Sequence, residues 1–188
     1  RRHRARPHRV TDITRYAVLG RVPVGRPNCS LSINNPVGPR TLAKGFVVYH
    51  VIEDGKFAEA VGGGIAQFAT TLFNASWLAG FDFGEYQSHS IYISRYPYGR
   101  EATLNFPHPD LIVANNTNYG ILVWPTYTGS SLTVTLYSTK YAPGVQTNQT
   151  SMMRGTCTVV TTERTSTYPY GTTKAAHTPT TYRKQQGY

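Results

Sequence analysis

Val61-Gly62-Gly63-Gly64-Ile65-Ala66-Gln67-Phe68-Ala69-Thr70-Thr71-Leu72-Phe73-Asn74-Ala75 is the stretch on which the fold of this chain turns. Three successive glycines open the backbone. Apolar or small residues then recur at Ile65, Phe68, Ala69, Leu72, Phe73 and Ser76, before Gly80. That spacing predicts a helix over about residues 65–79 with Gly80 at its C-terminal cap. The first amide N–H groups of a helix lack intrahelical partners, and the helix dipole makes that end attractive to anions. A side chain at position 66 stands there, where a thiol loses its proton readily and an oxyanion is stabilised. Chemistry would need Cys or Ser at that place, and the chain has Ala66.

Outward from this helix the chain reads as strands. Residues 46–52 form an apolar run that predicts a buried strand, closed by a Glu53-Asp54-Gly55-Lys56 turn. Residues 90–94 and 132–137 alternate at period two, and residues 119–124 form another apolar run, bounded by Pro125. Residues 158–168 are Thr-rich and β-branched, which favours strands, with residues 151–155 expected as a loop before Cys157. Residues 172–188 read as an extended tail or edge strand. The fold class is α+β, mostly antiparallel strands with one principal helix. Three parts are expected: a basic arm and lead-in over residues 1–20, a core over 21–141, and a Thr-rich extension over 142–188 packed on the core.

With 188 residues, the chain is long enough to bury a real core. Charged residues make up only 15%, so the polar surface comes largely from Thr, Ser, Asn, Tyr and Gly. A formal net charge of +10 predicts attraction to polyanions, although a basic surface that merely keeps the chain soluble accounts for it equally well. Residues 1–9 carry five arginines and almost nothing apolar, so they cannot fold alone. They suit a solvated tail or an electrostatic tether to a wall polymer, a partner protein or nucleic acid. No aromatic residue interleaves those arginines to stack on bases, which makes nucleic acid the weaker partner. No apolar run approaches the roughly 18 residues of a membrane span, no signal peptide is evident, and the basic start reads as that of a mature or trimmed fragment. Cys29 and Cys157 have no second Cys or His at ligand spacing, so neither a metal site nor a cofactor is expected.

The Gly-rich stretch resembles the signature of the VanW family, approximately Gly-Gly-Gly-Val-Cys-Gln-x-Ser-Thr-Thr-Leu-x-Asn-Ala. The resemblance extends upstream through Ser30-Leu31-Ser32-Ile33-Asn34-Asn35-Pro36-Val37-Gly38-Pro39-Arg40 and Lys44-Gly45-Phe46. Downstream it takes in Ser88-His89-Ser90, then Tyr96-Pro97-Tyr98-Gly99-Arg100-Glu101-Ala102-Thr103, and Asp110-Leu111 with Asn115-Asn116-Thr117. It covers most of the chain, from the twenties to about residue 140, with ordered motifs at matching spacing. It implies a domain of a bacterial cell-surface or secreted protein, with peptidoglycan or an anionic wall polymer as partner. In some members it implies L,D-transpeptidase cross-linking through the signature Cys. For an exported protein, Cys29 and Cys157 read as one long-range disulfide contributing roughly 3–5 kcal/mol, with two free thiols as the alternative.

On this resemblance the nucleophile position is Ala66, His89 is the base, and Glu101 stands where the family usually has Asp and would orient the imidazole. Gly63, Gly64 and Gln67 would supply oxyanion donors, with Arg95 and Arg100 completing the binding set. Plainer roles stand beside each. His89 is equally a hydrogen-bonded structural residue, the glycines equally permit close packing, and Glu101 with Arg100 equally forms a surface ion pair. Ala66 reflects divergence, an engineered substitution or an error of sequence. Phe68-Ala69, which also depart from the family's Val-Ser, favour divergence. The sequence therefore points to a non-catalytic envelope protein that engages peptidoglycan or a partner protein. A transpeptidase-like enzyme with its nucleophile replaced is the alternative, and polyanion binding through the Arg-rich arm a further one.

Overall fold

A computed structural model describes residues 11–12, 24–53, 56–128 and 131–183. The Arg-rich arm of residues 1–9 and the tip of the expected Asp54-Gly55 turn lie outside the described residues. In chain order the elements are β1 (Val24–Gly25), β2 (Ser30–Ser32), the short helix α1 (Asn34–Val37), β3 (Val48–Glu53) and β4 (Lys56–Val61). A 3-10 turn at Gly63–Ile65 then leads into the main helix α2 (Ala66–Leu78). After it come β5 (Asp82–Phe83), β6 (Ile112–Ala114), β7 (Ile121–Tyr127), β8 (Leu132–Tyr137), β9 (Gly144–Arg154), β10 (Cys157–Thr167) and β11 (Thr173–Arg183). The strands form a β3–β4 hairpin and three small sheets of order β1-β7-β8, β2-β6-β5 and β11-β10-β9. Every strand pair is antiparallel, so the fold is α+β with one main helix.

Helix α2 is the centre of the core because its apolar face follows the helical period. Phe68, Ala69, Leu72, Phe73, Ser76 and Trp77 are all buried. Phe73 stacks on Phe83 of β5 with ring centroids 4.7 Å apart and meets Tyr86 at 5.0 Å. Leu31, Val113, Ile121 and Val123 of the neighbouring sheets and Ile33, Phe46 and Leu111 of the adjoining segments join this face in one buried cluster. Burial pushes the Tyr86 hydroxyl up to about 12. An unfolded tyrosine ionises near pH 10, so the folded state holds this proton more tightly than the unfolded chain does. The contribution is complete below about pH 10 and is lost as pH rises towards 12. Equilibrium denaturation at a series of alkaline pH values is expected to show stability falling through that window. A flat profile there would contradict the burial of Tyr86.

The last three strands are long because β-branched residues fit their pleat. On β10, Val160, Thr162, Arg164 and Ser166 face inward, and on β11 Thr178, Thr180 and Tyr182 do. This sheet is fastened to the end of α2. Trp77 Nε1 donates to Thr178 Oγ1 at 3.0 Å. The buried Arg164 guanidinium donates through Nη1 to Trp77 O and Phe81 O, each at 2.8 Å, and pairs with Asp82. Desolvation lowers the pKa of Arg164, while Asp82 works in the opposite direction.

Four expectations differ from the structure. Residues 90–94 form turns rather than a strand. Arg183 N–H donates to Ser90 O and Tyr96 N–H to Ile93 O, so local and sheet contacts replace a ladder. Residues 151–154 are strand, since β9 runs through Arg154, which pairs opposite Cys157. The connecting turn needs only Gly155, at φ +58, and Thr156. Strand β7 continues through Pro125 to Tyr127. Pro125 lies opposite Val134 of β8, within a register that runs unbroken from Leu122 to Tyr127. The expected Cys29–Cys157 disulfide is absent, and both cysteines are free thiols. Cys29 precedes β2 and its carbonyl accepts from Asn115 N–H, whereas Cys157 opens β10 between Arg154 and Arg183. The two therefore belong to different sheets with different neighbours.

Candidate functional site

The Gly-rich turn places Ala66 as the first residue of α2, half-buried. The amides around it have partners. Gly62 N–H donates to Val47 O at 2.8 Å and Ile65 N–H to Gly62 O at 3.1 Å. Gly64 N–H donates to Asp12 Oδ2 at 3.0 Å, and the same carboxylate accepts from Val47 N–H at 2.9 Å. Asp12 is fully buried at the positive end of the helix, where its charge is favoured. Thus an internal carboxylate occupies one of the donors that an oxyanion would use. A single acid within an Arg-rich stretch was the only cue to Asp12 in the sequence. Gln67 is half-buried, and its Oε1 has no partner among the described residues.

One turn beyond Ala66, Thr70 fixes the segment that carries the site. Its hydroxyl donates to Ala102 O at 3.0 Å and accepts from Ala102 N–H at 3.1 Å. Asn74, a further turn on, donates to Arg100 O at 2.9 Å. The Arg100 guanidinium lies over the Trp77 ring, 5.1 Å from its centroid, and its burial lowers its pKa. Residues 100–102 are therefore laid along the α2 face of Thr70, Asn74 and Trp77. Side chains four apart on a helix are neighbours, about 5–6 Å between Cβ atoms, so Ala66 adjoins this face.

Between Arg100 and Ala102, Glu101 turns inward and is fully buried, which rules out the surface ion pair with Arg100. Its Oε2 lies 2.8 Å from His89 Nδ1, and His89 is itself only 5% exposed. With Glu101 ionised, Nδ1–H donates to it and Nε2 is left without a hydrogen bond among the described residues. The imidazole stacks on Tyr96 at 5.5 Å, and the exposed Arg95 guanidinium sits 5.7 Å from the centroid of the same ring. The arrangement can hold an imidazole in a fixed tautomer and present Nε2 to a donor or a proton. Among the described residues, neither the imidazole–carboxylate pair nor the first side chain of α2, Ala66, offers a thiol or hydroxyl. Of the expected set, His89 and Glu101 are brought together, Ala66 and Gln67 begin the adjoining helix, Gly63 and Gly64 form its lead-in, and Arg95 and Arg100 flank the pair.

Among the described residues, no group of three or more His, Cys, Asp or Glu side chains is placed to hold a metal ion, and no helix is long and apolar enough to cross a membrane. A cavity of about 190 Å³ opens at the far end of α2, lined by Gly80, Leu136, Lys140, Tyr141 and Tyr168 among others. At 1.5 Å per helical residue it lies about 20 Å from Ala66 and is separate from the His89–Glu101 pair. Tyr182, which meets Gly99, and Arg164, which meets the end of α2, had no signal in the sequence beyond their place in Thr-rich strands.

The family model described as "VanW like protein" matches residues 10–137. The chain is also similar to the uncharacterized protein YoaR of Bacillus subtilis (strain 168), with 40% identity over 112 residues, 60% of this chain and 37% of that protein. It thus spans well under half of that relative's length. No solved structure matches it. The family match runs without a break to the last residue of β8, through the helix start and both members of the buried pair, and by it the chain belongs to the VanW family.

Proposed function

We propose that this chain is a non-catalytic VanW domain of a bacterial cell-envelope protein that engages peptidoglycan or a partner protein through the face around His89 and the start of α2. One observation carries the reading: the buried His89–Glu101 pair is assembled at 2.8 Å beside a helix whose first side chain, Ala66, is a methyl group. A methyl group cannot attack a carbonyl, and loss of the nucleophile from a catalytic set typically costs about 10⁴–10⁶ in rate. An imidazole held by a carboxylate still binds, since Nε2 can accept from a peptide amide. A net charge of +10 adds long-range attraction to anionic wall polymers. Sedimentation with isolated peptidoglycan at physiological salt is expected to carry the protein into the pellet. Complete retention in the supernatant would reject wall binding and leave the partner-protein branch.

The same pair favours a second reading, an acyl-transfer enzyme of the L,D-transpeptidase kind whose nucleophile has been replaced. On that reading Ala66→Cys, given a muropeptide donor, forms a thioester visible in the intact mass. Absence of an adduct sinks it. Polyanion binding through residues 1–9 predicts steeply salt-dependent DNA binding that disappears when the arm is removed.

A further inference from the structure

The His89–Glu101 pair has one member unaccounted for. Glu101 is fully buried, yet its Oε1 has no hydrogen-bond partner among the described residues. A carboxylate oxygen left bare in the interior is costly, and native structures rarely carry one. Nearby, a buried hydroxyl has the complementary need. Tyr182 of β11 is 4% exposed, and its oxygen accepts from Gly99 N–H at 3.0 Å, which leaves its own proton to be donated elsewhere.

We propose that the sheet of β9, β10 and β11 supplies the third member of the site: Tyr182 donates its hydroxyl proton to Glu101 Oε1, making a Tyr182–Glu101–His89 chain of hydrogen bonds. The family match ends at residue 137, so this member comes from outside the matched segment. Burial, with the charge of Glu101 adding to it, holds the Tyr182 hydroxyl far above the usual phenol range, while the Gly99 amide acts the other way. All three strands of the sheet grip the loop that carries Glu101. From β9, Gln149 Nε2 donates to Tyr98 O at 2.8 Å. From β10, Thr162 and Val160 press on Gly99 so closely that a Cβ there would lie 2.7 Å from each. From β11, Tyr182 stacks on Tyr98 at 5.4 Å and Arg183 N–H donates to Ser90 O, beside His89, at 2.7 Å. Tyr182 is therefore a positioning residue. It fixes the carboxylate that fixes the imidazole, and the last sheet becomes part of the site.

This inference rests on the pair being the working part of the site, as proposed above, but its test does not use wall binding. The full chain is labelled with ¹³Cζ-tyrosine and ¹⁵N-histidine for NMR. Tyr182 is expected to stay protonated well above about pH 10, where an exposed phenol ionises, and the His89 Nδ1–H to exchange slowly with solvent. Tyr182→Phe keeps the ring stack but removes both the donor to Glu101 and the acceptor of Gly99 N–H, and is expected to speed that exchange at least about tenfold. Thr178→Val, on the same strand, breaks the bond to Trp77 without touching Glu101. It should lower the melting temperature and leave the exchange unchanged. The proposal is overturned if Tyr182 ionises with exposed phenols, or if Tyr182→Phe leaves the His89 exchange rate where it was. If Tyr182→Phe does not fold, the Tyr182 hydroxyl proton of the unaltered protein decides: a slowly exchanging, downfield resonance supports the bond to Glu101, and exchange as fast as that of exposed tyrosine hydroxyls overturns it. Failure to sediment with peptidoglycan alongside a positive NMR result removes the proposed function and leaves the relay standing.

Discussion

Glu101→Ala is expected to cost about 3–5 kcal/mol of folding stability, because it strips one partner from a buried polar pair. The carboxylate is fully buried and takes the His89 Nδ1 contact at 2.8 Å, so its removal leaves a buried imidazole nitrogen without that partner. The neighbouring backbone suffers too, since Arg100 O and the Ala102 peptide are held by Asn74 and Thr70 on α2. Glu101→Gln keeps an acceptor of nearly the same shape and is expected to recover much of the loss. Midpoints of chemical denaturation for the two variants measure this directly. Equal and small losses in both would show that the pair is not sealed from water.

Gly80→Ala is expected to be of similar or greater size, about 3 kcal/mol or more, from strain and overpacking together. Gly80 follows α2 with φ +91, and a Cβ on it would lie 1.7 Å from Ala142 O. That oxygen is backbone, so it cannot rotate away. Residues 138–143 join β8 to β9, and the substitution would push the last sheet off the end of the helix, where Arg164 and Thr178 fasten it. Gly155→Ala separates the two causes. Gly155 has φ +58 with no atom within 4 Å of the added Cβ, so its cost is limited to backbone strain of about 1–2 kcal/mol. Comparable melting temperatures for the two variants would mean that the contact with Ala142 is not close.

Elements whose pattern is written in local spacing were legible. The helical period from Ile65 to Trp77 and the alternation of residues 132–137 each correspond to an element of the structure. Residues 90–94 alternate equally well but form turns, because Ser90 O accepts one bond from the last strand, at Arg183 N–H, and Ile93 O is taken locally by Tyr96 N–H, which leaves no ladder. Ser151-Met152-Met153-Arg154-Gly155 read as a loop because it interrupts the Thr-rich, β-branched pattern ahead of Cys157. The backbone of residues 151–154 is nonetheless paired by β10. The site divides in the same way. Ala66 was legible from the glycine turn and the helical period, and His89 and Glu101 through the resemblance to the VanW family, whereas Asp12, Arg164 and Tyr182 were not. Each of those three meets at least one residue more than 50 positions away.

By itself, the sequence determined that one amphipathic helix begins at a glycine-rich turn, that the rest is mostly antiparallel strand, and that no thiol or hydroxyl stands at the helix start. These follow from residue type and period, which act over a few positions. Tertiary structure alone decided that an internal carboxylate meets the Gly64 amide, that Glu101 is buried against His89, that the cysteines stay apart, and that the last sheet reaches the same loop. Each of these depends on which distant groups share one dry, close-packed space. There an unpaired polar atom is costly enough to select its partner, and no local spacing records that choice.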